Sequence, residues 1–129
     1  MKLFRLVYWM RDVIPKIQEL DGYLFFDRFD LGEAGLRSKI SERYSTLAEA
    51  QSWMNIILLD EFISEAVDDK WRSSDSLVDE LLSIFAAAWT FQINHRFPDA
   101  KIAIDKVVDD ESGDVGLRLI SMRNDLLEK

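Results

Sequence analysis

Apolar residues recur along the chain with two different periods. Leu3, Leu6, Val7, Met10, Val13 and Ile14 fall at helical spacing and predict a helix over 2–14, although the first eight residues also read as strand. Pro15 lacks an amide hydrogen and ends that pattern; Ile17 and Leu20 then continue the apolar face as a short second helical piece. Asp21-Gly22 is a turn signal, and the aromatic run Tyr23 to Phe29 reads as a short buried strand. Gly32 and Gly35 then loosen the chain, and 36–43 suits a brief helix.

Thr46-Leu47-Ala48-Glu49 is a capping box. The Thr hydroxyl accepts from the third helical amide while Glu49 reaches back. Ala50, Trp53, Met54, Ile57, Leu58 and Phe62 come next at helical spacing and predict a helix over about 46–68, buried nearly all round at Ile56–Leu59. A polar connection from Asp68 to Ser76 offers caps for a further helix carrying Val78, Leu81, Leu82, Phe85, Ala88 and Trp89. Trp89 to Asn94 alternates as a strand would. The spacing of Trp89, Ile93 and Phe97, with Pro98 as a stop, favours helix to about His95.

Beyond Pro98 the period becomes two. Residues 101–108 and 115–120 predict a β-hairpin around the turn segment Asp109 to Asp114. A lone hairpin is marginal in water, so it needs a third strand, for which 23–29 or 2–9 are the candidates. The predicted fold is α+β: one domain over 1–129, with a small antiparallel sheet and a C-terminal β-hairpin packed against two or more helices. Trp9, Trp53 and Trp89 fall on apolar faces and read as core.

Composition narrows the chemistry. The chain has 129 residues, 48% of them hydrophobic, with a formal charge of −8. The acid excess lies entirely beyond residue 45. Such a surface repels nucleic acid and anionic lipid and attracts a cationic protein. The absence of cysteine excludes disulfides, thiol catalysis and iron–sulfur ligation, and fits a cytoplasmic setting. No run approaches the length of a bilayer span, and the apolar stretch between Arg5 and Arg11 is too short for a signal peptide. The expectation is neither a membrane nor a nucleic-acid partner.

His95 is the single histidine, which rules out any site needing two imidazoles from one chain. Placed at a helix end in Asn94-His95-Arg96, it suits a dipole-stabilising role better than catalysis. The carboxylates of the predicted 46–68 helix, with Asp79 and Glu80 on the next, suggest a dimetal bundle. That chemistry wants two Glu-x-x-His pairs, and position 92 is Gln. The 109–114 turn misses the EF-hand spacing, because Gly113 stands at its fifth position. There is no Gly-x-Ser-x-Gly elbow and no phosphate-binding glycine loop. No catalytic, cofactor or metal site is therefore assigned.

What remains is an acidic surface with aromatic anchors. Asp60, Glu61, Glu65, Asp68 and Asp69 would steer a cationic partner, and Trp71 with Arg72 would anchor it, these two residue types being enriched among those that dominate interface energy. Toxin-immunity proteins and other stoichiometric inhibitors of bacterial type share this small, acidic character. The functional expectation is a protein-binding module of that kind, sequestering a basic partner such as a toxin or nuclease. The alternative is a structural subunit acting as a homo-oligomer; a small carboxylate- or His-dependent enzyme is less favoured.

Overall fold

The computed structural model describes residues 10–59 and 75–122. A helical turn at 10–13 leads into strands β1 (Ile17–Leu20) and β2 (Tyr23–Phe26), then helices α1 (Gly32–Arg43) and α2 (Leu47–Met54). Strand β3 (Ile56–Leu58), helix α3 (Asp75–Arg96) and strands β4 (Lys101–Val108) and β5 (Val115–Met122) complete the order. The strands form two antiparallel sheets, β1-β2 and β3-β5-β4, so the fold is α+β with the expected C-terminal hairpin.

The second helical piece expected at Ile17–Leu20 is instead a strand. Asp21 (φ 51°) and Gly22 (φ 89°) both occupy the left-handed region, the signature of a two-residue hairpin turn that matches strand twist. Ile17 and Leu20 are three apart and both buried, which imitates a helix face. In a strand, residues three apart point to opposite faces, so the hairpin must be covered on both sides. Ile17, Leu24 and Phe26 pack with Trp89, Phe85 and Ile93 of α3, whereas Leu20 and Phe25 pack with Leu36 and Ile40 of α1 and Ala50 of α2. The unbroken Tyr23–Phe26 apolar run is what burial on both faces demands.

The helix predicted over 46–68 is broken after two turns, and its residues 60–68 lie outside the described residues. Thr46 caps the helix as expected, the Glu49 amide donating to its Oγ1 (3.1 Å), and the Glu49 carboxylate reaches back to accept from the Ser45 amide (3.3 Å). The helix then stops at Met54, Asn55 turns the chain, and β3 pairs with β5. Two branched side chains, Ile56 and Ile57, fit a pleated surface better than a helix interior. The third strand of the C-terminal sheet is thus β3, not 23–29; the other candidate, 2–9, lies outside the described residues.

Asn55 is fully buried and joins three segments. Its Oδ1 accepts from the Phe26 amide (3.0 Å), and its Nδ2 donates to the carbonyls of Leu24 (2.8 Å) and Leu119 (3.1 Å). Ser121 Oγ accepts from the Leu24 amide (3.0 Å), and Gln51 Nε2 donates to the Leu24 carbonyl (3.0 Å) and to Ser121 Oγ. The edge of β2 that faces away from β1 is thus satisfied by side chains, where an open edge would leave buried backbone groups unpaired.

On the far side, α3 clamps the segment leading into β1. Trp89 Nε1, Gln92 Nε2 and Arg96 Nη2, on successive turns, donate to the carbonyls of Asp12 (2.8 Å), Pro15 (2.6 Å) and Ile17 (3.4 Å). The expected helix through His95 is observed, as is its end before Pro98. Helix α1 is longer than expected and includes both glycines. Asp27, four residues upstream, accepts from the Leu31 and Gly32 amides (2.8 Å each) and supplies the start that Leu31 has no side chain to provide.

Two substitutions test these joints. A Cβ at Gly116 would lie 2.1 Å from the Ile57 carbonyl oxygen, a backbone atom of the paired strand that cannot swing aside. Gly116→Ala is expected to cost about 2–3 kcal/mol, read as a lower urea midpoint with unchanged slope. Asn55→Asp replaces the two donated hydrogen bonds with a buried carboxylate facing two carbonyls. It should cost at least about 3 kcal/mol at neutral pH by the same measurement, where an exposed Asn→Asp change would cost little.

Candidate protein-interaction groove

Strand register puts Ile56, Arg118 and Asp105 in one cross-strand row on the sheet face away from α3, and Leu58, Gly116 and Val107 in the next. The second row has no side chain at its centre. A trough therefore runs between Leu58 and Val107 and opens into a groove of about 840 Å³. Trp53, at the end of α2, stands beside it with Arg28 from the segment after β2, and the 109–111 turn forms its lip.

The groove is open, and its lining mixes apolar side chains with charged ones. Trp53 is 66% exposed, Val108 56% and Leu58 37%. The core position expected for Trp53 is therefore incorrect. Ending α2 at Met54 removes the continuing helix that would have covered the indole, and Ala50 and Gln51 are the buried residues of this helix. Trp89 is core as expected, at 0% exposure; Trp9 lies outside the described residues.

Both arginines in the groove are held by carboxylates. Arg28 Nη2 lies 3.1 Å from the buried Asp12 carboxylate, and Arg118 Nη2 lies 3.6 Å from Asp105. Arg118 Nε is buried with no acceptor, an arrangement that costs free energy. With the two cations paired, the carboxylates of the lip set the sign of the local field. Asp109 Oδ1 is occupied by the loop itself, accepting from the amides of Glu111 (2.8 Å) and Ser112 (3.0 Å), while Gly113 (φ 77°) completes the turn. Asp110 and Glu111 are exposed at the rim.

The residues singled out from the sequence for partner binding, Asp60, Glu61, Glu65, Asp68, Asp69, Trp71 and Arg72, all lie outside the described residues. His95 is described and exposed, and it does not line the groove. Asp79 pairs with Lys106 (3.5 Å). Among the described residues no three acidic or histidine side chains gather as metal ligands. The groove residues that the sequence does not single out are Trp53, Leu58, Val108 and Arg118. The available signal is Asn55 followed by two β-branched residues, a helix end and a strand start that the apolar period conceals.

No family model, no curated protein and no solved structure matches this chain.

The lip has a pH signature. Donation from the Ser112 amide, and next from that of Glu111, holds the Asp109 carboxyl below the usual aspartate range. A depressed folded pKa contributes stability above the unfolded value, and that contribution is lost as pH falls through the folded one. Carboxyl NMR should show Asp109 titrating below the usual aspartate range. The stability gap between the native chain and Asp109→Ala should narrow only in that acidic range.

Proposed function

We propose that this chain is a protein-binding module that takes a basic partner into the groove beside Trp53. The observation that carries the reading is a two-thirds-exposed tryptophan next to exposed Leu58 and Val108, under an acidic lip. An exposed tryptophan beside apolar side chains and charged rim residues is the usual kind of interface anchor. Asp110 and Glu111 would meet Lys or Arg side chains of the partner.

The net charge of −8 would add long-range attraction to the same class of partner, which suits a stoichiometric inhibitor or immunity-type role against a cationic toxin or nuclease. The sequence between residues 60 and 72 would extend the acidic surface on this reading.

The test compares captures by the tagged native chain, by Trp53→Ala and by the double change Asp110→Lys, Glu111→Lys. Each is run at low salt and at about 0.5 M salt, where screening cuts attraction between exposed charges. The expected result is one basic protein held near one-to-one by the native chain and released by salt. Trp53→Ala should weaken it about tenfold or more, with thermal stability shifted by less than about 0.5 kcal/mol. A captured protein that binds all three forms equally removes the groove from the function.

A further inference from the structure

Helix α3 has a second face that the fold leaves uncovered. Leu82, Phe85, Trp89 and Ile93 are buried on one side, yet Ile84 is 51% exposed and Phe91 77%. At 100° per residue, Glu80, Ile84, Ala87, Phe91 and His95 fall within one sector of the helix, opposite that core side, and all five are exposed.

The pattern along this sector is self-complementary when reversed. Ile84 and Phe91 lie equally far from the midpoint between Ala87 and Ala88, and so do Glu80 and His95. We propose that this face is a homodimer interface. Two α3 helices pack antiparallel about a two-fold axis passing between Ala87 and Ala88. Each Ile84 then meets the other copy's Phe91, and each Glu80 carboxylate meets the other copy's His95 imidazole. The two alanines at the axis allow the close helix approach such a crossing needs. An interface of this kind is isologous: every contact occurs twice.

A helix of 22 residues presents a face about 33 Å long, at the small end of specific interfaces, so the dimer dissociates on dilution. The interface does not rest on the groove, which is built from α2 and the outer sheet face.

A membrane is the other surface an apolar helix face could meet. Contrary to the expectation from the sequence, one helix, Ser76–Arg96, is by length and composition apolar enough to cross one. Its core side is already packed on the sheet, however, and Glu80 on the exposed side repels anionic lipid.

The cysteine-free chain makes the axis directly testable. A single cysteine at position 87 sits beside its own symmetry mate, so Ala87→Cys should form a disulfide-linked dimer under mild oxidant. The exposed control Lys101→Cys should stay mostly uncrosslinked under the same conditions. Sedimentation of the native chain from about 1 µM to about 500 µM should show the mass rising from 15.0 kDa toward twice that value. Phe91→Glu should weaken self-association at least about tenfold with an unchanged circular dichroism spectrum.

A monomer throughout that range, with Ala87→Cys crosslinking no faster than the control, overturns the proposal. So does flotation of the native chain, but not Phe91→Glu, with phosphatidylcholine–phosphatidylglycerol vesicles in the absence of a dimer. Retention of the dimer in Trp53→Ala, with loss of the basic partner, would separate the two surfaces.

Discussion

The fold depends on how the free edge of β2 is completed. A two-stranded hairpin buried on both faces cannot leave its outer edge unpaired, because backbone amides and carbonyls removed from water must find partners. Among the described residues no further strand is aligned to supply them. Asn55, Gln51 and Ser121 do so with side chains, and Asn55 serves both sheets at once. The two sheets are thereby held edge to edge without a continuous ladder.

That constraint explains why α2 is short. If the helix continued past Met54, residue 55 would have no reason to turn its amide toward Leu24 and Leu119, and Ile57 would leave the core. Ending the helix there sends Ile56–Leu58 along β5. It also strands Trp53 at the surface and leaves Leu58 and Gly116 side by side under the groove. The exposed indole and the buried amide are thus two results of one chain reversal. Polar joints of this sort specify geometry more than they add net stability, since each replaces hydrogen bonds to water.

The legible parts of the sequence are those governed by local rules. The capping box at Thr46, the stop before Pro98, and the 101–108 and 115–120 alternation each depend on neighbours within a few residues, and each appears in the structure. The illegible parts are set by distant partners. Ile17 and Leu20 share a helical spacing, and only the packing of opposite hairpin faces reveals a strand. Ile56 to Leu58 look helical until β5, some sixty residues later, is aligned with them. Of the candidate site, the acidic turn at 109–111 is legible as a hairpin tip but not as the lip of a groove. Trp53 reads as core from its spacing alone, because the helix that spacing implies ends at Met54.

The span of these joints also bears on how the chain is made. The Leu24 amide waits for Ser121, 97 residues later, and the Asp12 carbonyl for Trp89, 77 residues later. Contacts this distant in sequence slow folding. During synthesis the hairpin can close on itself early, and Asn55 and Gln51 can reach its outer edge soon after, but the Leu24 amide on that edge stays open until Ser121 of β5 leaves the ribosome. For that interval the nascent chain carries a short aromatic strand of the kind that recruits other strands. Its need for a chaperone should be greatest just before β5 emerges.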